Sequence, residues 1–168
     1  MQCIRFTPDG RFLVITCNKD IVVFNGQSDE FEKIGLLKGN TVAVKFLQFD
    51  RSSMYAMTNA VDGGVMCWQL VPGAFIKIDL ANIRDLEWDR KSCVFSWDSL
   101  GIWSKCCHDN INLDQTLKED DVNQVFLSPD KEILAVADNL GPVRLFNYPT
   151  YNQGQACLTL DLPSTHGV

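Results

Sequence analysis

Nowhere do these 168 residues contain about 20 consecutive apolar residues, so no bilayer-spanning helix is predicted. The opening MQCIRFTPDGRFLVITC lacks the charged-then-apolar layout of a secretory signal and is broken early by Pro8, Asp9 and Gly10. These two absences predict a cytoplasmic protein without a membrane partner. Lysine and arginine form no polycationic cluster, and the formal net charge of −6 argues against a nucleic-acid partner. Histidine is scarce: only His108 and His166 could serve a Ser–His or Cys–His nucleophile, and no Gly-x-Ser-x-Gly elbow is present. No catalytic residue is therefore assigned, and no enzyme is predicted. The seven cysteines are odd in number and irregular in spacing, which excludes a disulfide framework. Cys106 and Cys107 precede His108 in the one metal-like cluster, but no second pair at CxxC or HxxxH spacing completes a tetrahedral site. The expectation is a polar insertion loop with no metal and no cofactor; a reactive thiol beside His108 stays open as the alternative. Long helical periodicity is also missing.

What is present is a repeat. The composition, 46% hydrophobic and 21% charged, is that of a globular chain. Short runs rich in Val, Ile, Phe, Tyr and Trp recur between Gly, Pro, Asn and Asp, the pattern of strands and turns. Cys3, Cys17, Cys67 and Cys93 lie inside such runs, where free cysteine behaves as a small hydrophobe. Asp9, Asp50, Asp89 and Asp130 each follow an aromatic-containing strand and are spaced roughly 40 residues apart. After each comes a second apolar strand (RFLVITC, MYAMTNA, SCVFSW, EILAVAD). A third then ends on Phe24, Trp68, Trp103 or Phe146. Fourth, more polar strands are expected at FEKIGLL, AFIKIDL, INLDQTL and ACLTLDL.

Four short strands in a unit of roughly 40 to 45 residues describe a WD-repeat blade. The predicted class is therefore all-β: about four four-stranded antiparallel blades of a partial or open propeller. Approximate blades run over 1–38, 39–81, 82–118 and 119–162, with 163–168 starting a further blade. The missing blades are then expected partners, and the chain alone would expose two raw blade faces and oligomerise or aggregate. The stretch RDLEWDRKSCVFSWDSLGIW (84–103) reads as a worn copy of the unit, with Trp88 and Trp103 at core positions. Its Trp88-Asp89 and Trp97-Asp98 pairs do not stand where the repeat carries its Trp, so they read as coincidences of composition. Only Trp97 has no counterpart among the repeats.

Several segments have plain structural readings. The Asp-Gly-Gly at 62–64 lacks the Gly-Lys-Ser/Thr ending of a phosphate loop and is expected to be a turn. The acidic KEDD at 118–121 reads as a solvated loop. Asp20 and Asp138 precede third strands, where a carboxylate commonly bonds turn donors.

From about residue 41 to 149 the chain resembles the C-terminal propeller of the echinoderm microtubule-associated protein-like family. LQFDRSSMYAMTNA (47–60), IRDLEW (83–88) followed by Cys93 and GIW (101–103), DVN (121–123) and DNLGPVRLFNYP (138–149) carry the likeness in order and spacing. Asn139, Pro142 and Ser104 depart from the family pattern, and residues 104–120 are longer than its usual connection. Family members typically carry a coiled coil and a hydrophobic motif joining two propellers; neither occurs within these residues. The resemblance implies a cytoskeletal, non-catalytic scaffold that contacts tubulin or microtubules. The alternative is a generic WD adaptor holding other proteins in a ciliary or signalling assembly. Against acidic tubulin the charges of interest are Arg84, Arg90 and Lys91, which with Trp97 form the candidate partner surface.

Overall fold

The computed structural model describes residues 3–103, 122–139, 141–152 and 155–160. Cys106, Cys107, His108, His166, the strand expected at INLDQTL and the acidic run 118–121 lie outside the described residues. Twelve strands form three sheets among the described residues. The first holds β1 (Ile4–Phe6), β2 (Phe12–Cys17), β3 (Asp20–Asn25) and β4 (Lys33–Leu37). The second holds β5 (Val44–Phe49), β6 (Tyr55–Ala60), β7 (Val65–Val71) and β8 (Ala74–Ile78). The third holds β9 (Val122–Leu127), β10 (Ile133–Asp138), β11 (Val143–Asn147) and β12 (Cys157–Leu160). In each sheet the strands lie in sequence order and pair antiparallel, which is the blade of a β-propeller. The chain divides into two compact units between Cys93 and Val94. Among the described residues no helix is long and apolar enough to cross a membrane.

The first unit contains two blades packed face to face. Phe12, Val14, Ile21, Val23 and Leu37 from the first sheet meet Val44, Leu47, Phe49, Ala56, Trp68 and Leu70 from the second. Alternation explains the first sheet: β2 and β3 bury every other residue, as a strand with one covered face must. By contrast, β6 is buried at five successive positions, Ala56 to Ala60, because its second face is also covered. Phe75 from β8 stands edge-on to Phe12 at 5.8 Å and lies over Gly35 of β4. A methyl group at Gly35 would fall 2.1 Å from the Phe75 ring, so the absent side chain is what seats that ring.

The turns between first and second strands show the repeat atom by atom. Thr7 N donates to Phe12 O, Gly10 N to Thr7 O, and Phe12 N to the Thr7 hydroxyl. Ser128, Lys131 and Ile133 make the same three bonds. In the second blade these roles fall to Asp50, Ser53 and Tyr55, with the Asp50 carboxylate taking Tyr55 N at 2.6 Å. Gly10, Ser53 and Lys131 share a left-handed φ of 74°, 61° and 59°. Asp50 is therefore equivalent to Thr7 and Ser128, and Ser52 to Asp9 and Asp130. This corrects the alignment of Asp50 with Asp9 and Asp130 by two residues. The misreading has a simple cause: the turn needs one hydroxyl and one carboxylate two residues apart, and the second blade has exchanged them. The strand pairings Leu13–Phe24, Ala56–Trp68 and Leu134–Phe146 place the three closing aromatics at one repeat position, as expected from sequence.

The 82–118 copy departs from the expected blade over its described residues. SCVFSW and LGIW form no strand. Ser92 N and Cys93 N both donate to the Gln48 side-chain oxygen, at 3.1 and 2.9 Å, so they do not enter a ladder. Ser92 Oγ donates to Leu47 O and the Cys93 thiol to Met57 O, which closes the outer face of the second blade. Upstream, the chain from 80 to 83 forms a 3-10 turn capped by Asp79, and Trp88 makes a single bridge to Asp50.

In the second unit a kinked 3-10 helix, Trp97–Trp103, takes the place of the expected third strand. Phe95 stacks on Trp103, with ring centroids 4.3 Å apart and planes parallel. Asp98, expected to be incidental, is a structural residue: it accepts from the Tyr148 hydroxyl, and its carbonyl accepts from Thr150 N at 3.0 Å. Gly101 N donates to Thr150 O, and a Cβ on Gly101 would lie 2.0 Å from the Thr150 hydroxyl. The third sheet buries an Asp138–Arg144 ion pair, the Asp138 side chain at 0% exposure and Arg144 at 9%.

Candidate functional site

A cavity that combines charge with exposed aromatic surface lies in the first unit. It is an open groove of about 630 Å³ lined by Ile4, Arg5, Phe6, Thr7, Pro8, Phe49, Asp89 and Arg90. Three local structures position these residues. The free edge of β1 supplies one wall, since among the described residues β1 pairs with β2 alone. Phe49, at the end of β5, comes from the second blade. Asp89 and Arg90 follow the bridge at Trp88, where Asp89 N donates to Phe49 O at 3.0 Å.

Strand pairing decides what the wall of β1 offers. Thr16 N donates to Cys3 O and Thr7 N to Phe12 O, each at 2.9 Å, so residues 3, 5 and 7 take the bonds to β2. In an antiparallel pair the intervening residues turn their backbone groups the other way. The N–H and C=O of Ile4 and Phe6 therefore face the free edge. Their side chains are exposed at 53% and 51%. Arg5 is half-buried between them and makes no hydrogen bond or ion pair with any described residue. Arg90 is solvent-exposed and 3.9 Å from the Asp89 carboxylate, a loose pair that water screens.

Cys3, a thiol beside the groove, donates to Lys45 O at 3.1 Å; burial pushes its pKa up, while the charge of Arg5 opposes that rise. A thiol kept protonated is a poor nucleophile. An arginine, in contrast, presents up to five N–H donors in a fork that matches a carboxylate.

The residues singled out from sequence differ in exposure and are divided between the two units. Arg84 is exposed at the end of the 80–83 turn, and Arg90 stands at the groove. Lys91 is buried, with 6% exposure, which corrects the expectation of an exposed three-residue basic cluster. Trp97 is exposed at 50% and belongs to the other unit. Arg5, the principal charged residue of the groove, was missed. The signal that finds it is the corrected repeat: Arg5 stands two residues before Thr7, and Gln48 two before Asp50. The Asp-Gly-Gly at 62–64 is a turn as expected, with Gly63 at φ 80° and Gly64 N bonded to the Asp62 carboxylate.

A family model described as the echinoderm microtubule-associated protein second beta-propeller matches residues 1–166. Echinoderm microtubule-associated protein-like 1 of Homo sapiens is 27% identical over 153 residues, covering 89% of this chain and 17% of the relative. Echinoderm microtubule-associated protein-like 2 of Homo sapiens is 29% identical over 153 residues, covering 89% of this chain and 22% of that relative. Echinoderm microtubule-associated protein-like 4 of Xenopus laevis is 22% identical over 152 residues, covering 89% and 15%. The chain thus spans about a fifth of these relatives' length or less.

Proposed function

The chain belongs to the echinoderm microtubule-associated protein family, matching its second β-propeller, and from that premise we propose that it is a non-catalytic scaffold that associates with microtubules or tubulin. The family match over residues 1–166 carries the reading. The relatives' names as microtubule-associated proteins support it. In this reading the protein works in the cytoplasm on the cytoskeleton, and blades absent from these residues complete its ring. The repeat units remain those proposed from sequence: 1–38, 39–81, 82–118 and 119–162, with 163–168 leading into the next. The contact surface proposed is the groove along β1, with Arg90 at its margin. With a net charge of −6, attachment to an acidic lattice must come from such a local basic feature rather than from bulk attraction.

Co-sedimentation with assembled microtubules tests the function. The expected result is a saturable pelleted fraction that falls as salt rises, since exposed charge contacts are screened. A chain that stays in the supernatant at low salt, with microtubules in excess, contradicts it. A pull-down dominated by proteins other than tubulin would instead identify an adaptor in a ciliary or signalling assembly.

A further inference from the structure

The two inner strands β1 and β5 differ at one equivalent position, and the difference points to a ligand. In the second blade the position is Gln48, buried, whose side-chain oxygen accepts two consecutive backbone N–H groups from Ser92 and Cys93. A side chain here is thus placed to clasp a stretch of chain running past the strand. In the first blade the same position is Arg5, a cation that no described residue pairs. Beside it the N–H and C=O of Ile4 and Phe6 lie on an open strand edge, the arrangement that accepts an added strand. A half-buried guanidinium without an acid is unusual, because partial desolvation of a charge costs free energy that a partner normally offsets.

We propose that the groove binds an extended acidic peptide, its backbone pairing with Ile4 and Phe6 and a glutamate or aspartate carboxylate engaging Arg5. Phe49 forms part of the groove wall. Arg90, exposed and only loosely held by Asp89, adds a second positive charge for a flanking acid. A basic residue opposite Arg5 would meet like charge in a partly desolvated site, which sets the preference for acidic sequences. The inference rests on the groove being the contact surface. It does not depend on which protein supplies the peptide.

The test is fluorescence anisotropy with a labelled peptide rich in glutamate, beside the same peptide with every glutamate replaced by glutamine. The glutamate peptide is expected to bind and the glutamine peptide to bind roughly tenfold or more weakly, the usual weight of a charge-assisted bidentate pair. Arg5→Gln, which installs the residue of the equivalent position, is expected to lower affinity by a similar factor while leaving the melting temperature near that of the parent. Arg51→Gln removes an equal charge from an exposed pair with Glu87, outside the groove, and is expected to change affinity less than about twofold. Equal loss in both variants would reduce the effect to bulk charge and overturn the site. So would unchanged binding in Arg5→Gln, or equal binding of the glutamine peptide. Tighter, Arg5-dependent binding of a single-stranded oligonucleotide would overturn the peptide assignment. Because no tubulin enters this assay, its failure leaves the microtubule reading standing, and the reverse holds as well.

Discussion

Replacing Arg144 with methionine should damage the third sheet more than any surface change. Its guanidinium bonds the Asp138 carboxylate inside the sheet, with the two side chains 9% and 0% exposed. Methionine fills much of the arginine's volume, so the packing loss is modest and the electrostatic loss dominates. The carboxylate left behind is buried and has lost its cation. Breaking a buried pair in this way costs about 3–5 kcal/mol, against a total stability of about 5–15 kcal/mol for a domain. With a urea slope of about 1–3 kcal/mol per molar, the midpoint for unfolding this sheet should fall by about 2 M. Equilibrium urea titration followed by circular dichroism reads it directly. The double variant Asp138→Asn with Arg144→Met removes the stranded charge and should recover at least half the loss. A single-variant loss of about 0.5 kcal/mol or less, the scale of an exposed pair, would refute the burial argument. So would a double variant no more stable than the single.

Further consequences follow from close contacts and from titration. Gly101→Ala places a methyl group 2.0 Å from the Thr150 hydroxyl and 2.6 Å from Asn152 O, so it should destabilise the second unit by about 1–3 kcal/mol in thermal melts. Burial raises the Asp9 pKa, but bonds from Arg11 N and Thr7, with the Arg11 side chain, outweigh it and hold the carboxyl below its ordinary 3.8. At Asp130 the Ser128 hydroxyl leads the same downward shift. A carboxyl depressed in the folded state stabilises above its unfolded pKa, and that contribution is lost as pH falls through the folded value. Stability should therefore decline on acidification below about pH 4, and Asp9→Asn should make that decline shallower; an unchanged acid limb contradicts it. Burial lifts the Cys67 thiol to about 12, with Asp79 adding to the rise, and burial likewise pushes Cys93 up. Alkylation mapped by mass spectrometry should modify exposed Cys17 in the native protein while sparing Cys67 and Cys93 until unfolding.

The fold was readable because propeller blades repeat, and repetition turns weak strand signals into a spacing. Three blades have the four strands expected, and the closing aromatics Phe24, Trp68 and Phe146 share one paired position. Two features escaped. The turn of the second blade exchanges its hydroxyl and carboxylate, so the most visible landmark, an aspartate, marks different positions in different copies. In the worn copy, strand-like composition did not yield strands. There the Gln48 side chain claims the backbone donors of Ser92 and Cys93, and Gly101 lets residues 150–152 approach closely. The segments Gly-Ile-Trp and Tyr-Pro, which carry the family likeness, are neighbours in space: Asp98 and Gly101 hold Tyr148 and Thr150. The groove was less legible. Charge alone singled out Arg84, Arg90 and Lys91, but burial removes Lys91, and Arg5 stands out only once the repeats are superposed by hydrogen bonds.

Hydrogen–deuterium exchange with and without assembled microtubules tests the joint claim of function and surface most directly. The amides of Ile4 and Phe6 face an edge that no described strand pairs and should exchange quickly in the free chain. On binding, the account predicts slowed exchange at the amides of Ile4, Phe6 and Arg90, with little change in the already protected β6 and β7. Binding that leaves Ile4 and Phe6 as fast as in the free chain, with protection elsewhere, would contradict the assigned surface. No change anywhere at saturating microtubules would contradict the proposed association itself.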